Sequence, residues 1–266
     1  MYKNNKMHFG MPTLIELNTI EECAALCSKL GLNFIELNMC FPQYQNLNVS
    51  LLKEMSQKYG IYYTIHLDEN LSPCDFNDRV SNAYIETTLY AISVAKQLNI
   101  PILNMHLQEG VLVTLPYKRV HLFDAYEDVY LQKLMNFRNK CEEAIGSADI
   151  KICIENTNGY HHSFLKKSLD LLQKSPIFAL TLDIGHSAVT GFVDEIVIAE
   201  YENSLTHMHV HDATSTSNHL PLGEGELDLS KYVNLAVKHN CRGVIETKTV
   251  DALYKCIEWL KTETGF

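Results

Sequence analysis

The chain repeats one pattern eight times: a short apolar run is followed by a longer amphipathic segment. Short apolar runs predict buried β-strands, and amphipathic segments of ten or more residues predict helices that cover them. Two of the helical segments close with a glycine, Gly31 and Gly60, as helix C-termini commonly do. The predicted strands occupy residues 7–11, 33–39, 61–67, 101–107, 150–156, 177–185, 205–211 and 241–247.

Strands that alternate with helices predict parallel βαβ units. Eight such units in 266 residues fit a closed (β/α)8 barrel, the TIM barrel of the α/β class, better than an open doubly wound sheet. No GxGxxG follows the first strand and no GxxxxGKS or GxxxxGKT occurs, which weakens the dinucleotide-binding and P-loop alternatives. We therefore expect one domain spanning residues 1–266.

Charge and composition indicate which kinds of binding partner and which cellular compartment to expect. The formal net charge of −10 disfavours a nucleic-acid partner without excluding one, because nucleic-acid affinity rests on Lys and Arg that neutralise phosphates. The sequence has no apolar run of about 18 residues for a membrane helix, and the segment MYKNNKMHFG lacks the apolar core of a signal peptide. The eight cysteines are scattered and form no CxxC pair, which indicates reduced thiols. These features predict a cytoplasmic protein with no membrane partner.

Six of the eight predicted strands end in a histidine or an acidic residue. In a (β/α)8 barrel the carboxyl ends of the strands meet at one mouth, where functional residues gather. A single His or Glu at a strand end is usually only a hydrogen-bonded polar group, but six together predict a common site. The six are His66, His106, Glu155, Asp183, His209 and Glu246, and His186 follows Asp183 by one turn.

The chemistry of these side chains points to a metal ion. Imidazole and carboxylate together are the ligand set for divalent Zn, Mn, Co or Fe. Carboxylates that converge without a counter-charge repel one another, and a bound cation is the simplest remedy. The sequence therefore predicts a divalent metal cofactor at the mouth of the barrel, with zinc, manganese or cobalt as the candidates.

Three histidines alternate within residues 206–214, THMHVHDAT. Because side chains alternate along a strand, His207, His209 and His211 share one face. Position at the rim selects His209 as a ligand, whereas His207 lies deeper and is expected to be a hydrogen-bonded support. His211 either contacts substrate or supports the following loop, and Asp212 suits a turn as well as a functional role.

Other candidates carry less weight. Lys248 follows Glu246 by two residues and could bind substrate in the same mouth. Glu36 and Asn38 end the second strand, where they either bind substrate hydroxyls or are ordinary strand-end residues. Residues 107–126 are long for a connection between a strand and a helix, and their aromatic and basic side chains fit either a lid or the surface of a homo-oligomer.

The segments IENTNG, LDIGHS, MHVHDA, LGEG and VIET resemble the strand-end motifs of the xylose-isomerase-like TIM barrels. The resemblance extends from His66 to Glu246, with the barrel pattern before it. That superfamily contains sugar isomerases and epimerases, inosose-handling enzymes and the type IV apurinic DNA endonucleases. The resemblance is specific for the fold and the metal site and much less specific for the substrate.

In the isomerase and epimerase branch, the resemblance implies one metal held by Glu155, Asp183, His209 and Glu246. The metal polarises a carbonyl and a hydroxyl of a small sugar or sugar phosphate, while Glu155 and Glu246 act as the catalytic pair that moves a proton. The resemblance also implies that His186 touches a substrate oxygen.

In the endonuclease branch, the resemblance implies three zinc ions. One additional ion would be held by His66 and His106 with a shared Glu155, so these two histidines bind either a second metal or substrate hydroxyls. Another would be held by His186 and His219 with an aspartate two residues before His219.

Ser217 stands at the place of that aspartate, which leaves the third site without its carboxylate unless Asp212 substitutes. The sequence thus favours a metal-dependent sugar or sugar-phosphate isomerase or epimerase, with a multi-zinc phosphoesterase as the alternative.

Overall fold

Eight parallel strands close into a barrel in the computed structural model, which describes residues 7–157 and 159–264. The prediction of a single-domain (β/α)8 barrel is confirmed. The strands of the structure are β1 (His8–Pro12), β2 (Phe34–Asn38), β3 (Tyr62–His66), β4 (Ile102–His106), β5 (Leu112–Thr114), β6 (Arg119–His121), β7 (Lys151–Glu155), β8 (Phe178–Asp183), β9 (Leu205–Val210) and β10 (Arg242–Ile245). Around the barrel the order of neighbours is β1-β10-β9-β8-β7-β4-β3-β2, and β5 pairs with β6 outside it.

Helices surround the barrel, and several of them begin or end at a residue that caps the helix. Thr19 and Glu22 form a capping box at the first helix, and Gly60 ends the second in the left-handed conformation with a φ of 67°. The helices are α1 (Ile20–Lys29), α2 (Val49–Tyr59), α3 (Asp78–Leu98), α4 (Leu122–Ala125), α5 (Glu127–Ile145), α6 (Ser163–Leu172), α7 (Ile184–Val189), α8 (Val193–Glu200), α9 (Leu229–His239) and α10 (Val250–Thr264). Short 3-10 turns lie at Pro42–Tyr44 and Glu202–Ser204.

Apolar side chains fill the layer between the strands and the helices, whereas the interior of the barrel is partly polar. Glu36, Thr64, Asn104, Thr181 and His207 are all buried there. Burying polar groups is costly unless they are hydrogen-bonded, and these groups are bonded to one another or to residues of the mouth. The inner polar layer therefore supports the carboxyl ends of the strands from below.

Residues 107–126 have more structure than the sequence indicated. Strands β5 and β6 form an antiparallel hairpin in which Leu112 lies opposite His121, and α4 follows directly. The turn of the hairpin is exposed, and Tyr117 at its tip is fully accessible. Strands of three residues are too short to produce a recognisable alternation, so the sequence analysis described this segment only as a long loop.

The predicted sixth strand, 177–185, ends two residues early. Strand β8 stops at Asp183 because the carboxylate of Asp183 accepts a hydrogen bond from the amide of His186 and caps α7. All eight cysteines are free thiols, and only Cys40 is not fully buried. None of the described helices is long and apolar enough to cross a membrane.

Candidate metal centre and active site

Four predicted ligands come together at the carboxyl ends of four neighbouring strands. Glu155 ends β7, Asp183 ends β8, His209 lies on β9, and Glu246 follows β10. One ligand atom from each lies within 4.8 Å of those of the other three. The register of the sheet explains part of this convergence, since Asp183 pairs directly with His209. These four side chains could hold one divalent cation.

The imidazole of His209 lies at the centre of this cluster. Its Nε2 is hydrogen-bonded to Oε1 of Glu36 at 2.8 Å. Its Nδ1 lies 3.0 Å from Oε2 of Glu246 and 3.4 Å from Oε1 of Glu155. Within the described chain, neither this Nδ1 nor this Oε2 has a hydrogen bond, although both atoms are buried. Because buried polar atoms are normally satisfied, this pair fits a shared metal ion.

Strong electrostatic coupling accompanies this proximity. Burial by itself lowers the pKa of His209, but the charges of Glu155, Glu246 and Glu36 raise that pKa well above its usual value. Burial conversely raises the pKa of Glu155 and of Glu246, yet the charge of His209 holds both well below their usual range. A proton on His209 and a metal ion therefore compete for the same group of carboxylates.

Asp183 is fixed by two neighbours. Its Oδ1 accepts the amide of His186 at 2.7 Å and lies 3.1 Å from Nε2 of His211. The amide of His219 donates to Nδ1 of His211 at 2.8 Å, so the proton of a neutral His211 sits on Nε2 and points to Asp183. His211 is fully buried, a placement that favours the support of Asp183 and the following loop over contact with substrate.

Gly185 makes this placement of His211 sterically feasible. A Cβ atom at residue 185 would lie 1.9 Å from Cε1 of His211. Any side chain there would push the imidazole away from Asp183. Glycine in the LDIGHS segment thus serves close packing at the metal cluster.

His66 and His106 form a second cluster with the other oxygen of Glu155. Oε2 of Glu155 lies 3.4 Å from Nε2 of His66 and 3.3 Å from Nε2 of His106. Nδ1 of His66 donates to the carbonyl of Leu67 at 2.7 Å, which leaves its Nε2 free to bind a metal. Nε2 of His106 is buried and has no hydrogen bond to any residue that the structure describes. Glu155 therefore presents one oxygen to each of two clusters.

His186 and His219 lie at the outer edge of the site. Nδ1 of His186 is 3.3 Å from Oε1 of Glu155, and the side chain is 24% exposed. The rings of His186 and His219 meet edge to face with centroids 5.8 Å apart. Burial lowers the pKa of His219 to about 4, so its imidazole is neutral at pH 7. Both rings are accessible to a ligand in the mouth.

The loop after β9 does not supply the carboxylate that Ser217 replaces. The carboxylate of Asp212 accepts the backbone amides of Ala213, Gly223 and Leu227 at 2.8, 2.9 and 3.2 Å. Asp212 is buried and organises this loop, so the suggestion that it substitutes as a metal ligand is not supported. Ser217 itself is exposed.

Glu36 is the functional residue whose role the sequence analysis missed. It is 2% exposed and accepts hydrogen bonds from His207 at 2.9 Å and from His209 at 2.8 Å. Burial raises its pKa, but the charges of His209 and His207 lower that pKa overall. Asn38, two residues on, accepts the amide of Cys40 at 2.8 Å. Glu36 is therefore not free to bind a substrate hydroxyl and instead orients His209.

Lys248 and a neighbouring cavity complete the mouth. Nζ of Lys248 donates to Oε1 of Glu246 at 2.7 Å. A cavity of about 610 Å³ opens beside His106, within the usual size range of small-molecule sites. Its polar lining includes Glu69, Asp75 and Gln108, and no Lys or Arg is among the described residues that line it.

The chain thus combines a closed (β/α)8 barrel with a cluster of imidazoles and carboxylates at its mouth. The chain belongs to the xylose isomerase-like TIM barrel family, whose model matches residues 24–262. The uncharacterized protein MJ1188 of Methanocaldococcus jannaschii is 22% identical over 187 residues, and the alignment spans 68% of this chain and 64% of that protein.

Solved structures share the fold over nearly the whole chain. A D-tagatose 3-epimerase-like protein superposes with a TM-score of 0.79 at 21% identity and covers 96% of both chains. The 3-keto-D-glucoside 4-epimerase YcjR of E. coli has a TM-score of 0.76 at 15% identity, with 97% of this chain and 100% of that chain covered. The IOLI protein with a bound zinc atom has a TM-score of 0.70 at 13% identity, over 96% and 97% of the two chains.

Proposed function

We propose that this protein is a divalent-metal-dependent sugar isomerase or epimerase. The observation that carries the proposal is the cluster of Glu155, Asp183, His209 and Glu246, whose ligand atoms lie within 4.8 Å of one another. The names of two structural neighbours, a D-tagatose 3-epimerase-like protein and a 3-keto-D-glucoside 4-epimerase, support sugar chemistry. Zinc, manganese or cobalt would suit the donor set.

The chemistry depends on an acidic C–H bond next to a carbonyl. A bound divalent ion would polarise the carbonyl and hydroxyl of the sugar and so make that C–H bond more acidic. Glu155 and Glu246 are held as carboxylates, so one of them can take the proton from the carbon. The other glutamate would take up a proton from solvent and return it to the same carbon from the opposite face for epimerisation, or to the neighbouring carbon for isomerisation. The first glutamate then releases the abstracted proton to solvent, which restores both carboxylates.

The residues around the two glutamates position them for this transfer. Asn104 donates to Oε2 of Glu155, and Thr181 in turn donates to Asn104 at 2.6 Å. Lys248 donates to Glu246 from the solvent side. We therefore assign binding and proton transfer to the glutamates, and positioning to Asn104, Thr181 and Lys248.

The lining of the cavity favours an uncharged sugar over a sugar phosphate. Phosphate groups are recognised by Arg and Lys side chains, whereas the cavity presents Glu69, Asp75 and Gln108. Carboxylates and amides are suitable hydrogen-bond acceptors for sugar hydroxyls. The net charge of −10 also opposes the approach of a dianionic substrate.

Solvent deuterium exchange tests the proposed function directly. The metal-loaded protein should incorporate deuterium from D₂O at a single carbon of a ketose, an inosose or a keto-glycoside, because the proton that is returned to the carbon comes from solvent. Mass spectrometry and NMR of a panel of such sugars would measure this. If no sugar of the panel incorporates deuterium with Zn, Mn or Co, the proposal fails.

The cluster of His66, His106 and Glu155 favours a second candidate function, that of a multi-zinc phosphoesterase. This alternative predicts cleavage of an abasic duplex or of a simple phosphodiester by the zinc-loaded protein. A His66→Ala, His106→Ala double variant should then lose about two or more orders of magnitude in rate. Equal cleavage by the double variant and the parent would remove this alternative.

A further inference from the structure

Another group of metal-ligating side chains lies outside the barrel mouth. It consists of Glu109 in the connection after β4, His121 at the end of β6, and His162 directly before α6. One ligand atom of each lies within 4.8 Å of the other two. The β5–β6 hairpin returns the chain so that His121 lies near Glu109, and the ring of His121 packs against that of His162 with centroids 4.7 Å apart.

The distances within this group suit a shared ion better than hydrogen bonds. Oε2 of Glu109 lies 3.7 Å from Nε2 of His121 and 4.0 Å from Nε2 of His162. Both distances are too long for a hydrogen bond. Two ligands of a tetrahedral zinc ion, with bonds of about 2.0–2.2 Å, are about 3.4 Å apart. Binding of one ion by all three atoms would shorten these two separations by about 0.3 and about 0.6 Å.

The rings of His121 and His162 pack against each other and against the ring of Phe164. Nδ1 of His121 is buried and has no hydrogen bond within the described chain. His162 occupies the N-cap of α6, where Ser, Thr, Asp or Asn usually bonds the helix, but its side chain makes no capping hydrogen bond. Gly159 lies beside this carboxylate: a Cβ there would lie 2.5 Å from Cδ1 of Leu165 and 3.2 Å from Oε1 of Glu109.

The charge and exposure of the group also suit a metal. Burial, followed by the charge of His161, lowers the pKa of His162, so its imidazole is neutral and able to bind a metal at pH 7. The side chains of His121, His162 and Glu109 are 16%, 28% and 37% exposed, which leaves room for water as a fourth ligand.

We propose that Glu109, His121 and His162 bind a zinc ion or a similar transition-metal ion that fastens the β5–β6 hairpin to the start of α6. Two imidazoles and one carboxylate select such ions over magnesium and calcium. Glu109 also lines the cavity beside His106, together with Val111 and Leu122 at the two ends of the hairpin. The ion would thus fix one wall of that cavity.

Counting bound ions in matched variants tests this site. Elemental analysis after equilibration with zinc would compare the parent, His121→Gln, His162→Gln and, as control, His161→Gln, whose exposed histidine lies outside the cluster. The parent and the control should each bind one more ion per chain than His121→Gln or His162→Gln. The barrel cluster is intact in all four proteins, so this difference is independent of the proposed sugar chemistry. Equal ion counts in all four would overturn the proposal.

Proteolysis of the hairpin supplies a second readout. Lys118 in the turn and Arg119 at the start of β6 are both exposed and are sites for trypsin. Zinc should slow cleavage there about tenfold in the parent and in His161→Gln, because cleavage follows the population of the opened hairpin. Zinc should not slow cleavage in His162→Gln. The comparison requires that this variant and the parent have the same melting temperature in the absence of zinc. Equal protection in His162→Gln would contradict a metal clip at this place.

Discussion

The single substitutions Glu155→Gln and Glu246→Gln should each lower kcat by about three orders of magnitude, because each removes a group that takes or gives a proton. Glutamine keeps the shape and an oxygen that can bind the metal, so most of the loss should come from proton transfer. The rate would be measured as deuterium incorporation into the sugar that exchanges fastest with the parent, at saturating metal.

Metal content and a matched control make this result interpretable. Glu224→Gln changes a glutamate of the loop after β9 that pairs with Lys255 at 3.0 Å, away from the cluster. It should leave kcat unchanged. Variants of Glu155 and Glu246 that carry a full complement of metal and retain more than about a tenth of the parent rate would refute the two-glutamate mechanism.

Glu36→Gln should weaken binding of the catalytic metal about 10- to 100-fold, because a carboxylate behind a ligating histidine fixes its orientation and raises its basicity. Both His207 and His209 are hydrogen-bonded to this one carboxylate. Loss of its charge should also lower the free energy of unfolding of the metal-free protein by about 3 kcal/mol, the usual cost of removing one partner of a buried ion pair.

Competition with a chelator would measure the metal affinity, and urea unfolding would measure the stability. Glu86→Gln, on the exposed surface of α3, is the matched control and should change neither quantity. An unchanged metal affinity in Glu36→Gln would show that His209 is oriented by the backbone and its packing alone.

Much of the candidate site could be predicted because it obeys the topology of the fold. Glu155, Asp183, His209 and Glu246 each stand at or next to the end of a strand, and the ends of parallel strands meet at one mouth. Local sequence pattern was sufficient to locate those ends to within a residue or two.

Contacts that depend on distant parts of the chain were beyond sequence reasoning. Glu36 is 173 residues from His209, and nothing near Glu36 in the sequence shows that its side chain points at an imidazole. The same holds for Glu109, His121 and His162, whose proximity depends on a hairpin with strands of only three residues. A surplus of histidines beyond the strand ends was the one available signal.

The shared position of Glu155 makes occupation of the two clusters at the mouth a linked equilibrium. One oxygen of Glu155 faces His209, and the second oxygen faces His66 and His106. An ion bound in one cluster therefore withdraws electron density from the same carboxylate that an ion in the second cluster would use. Two cations on one carboxylate also repel each other, and linkage requires each to weaken the other equally. The second ion should therefore bind more weakly than the first, and the number of ions at the mouth becomes a function of free metal concentration.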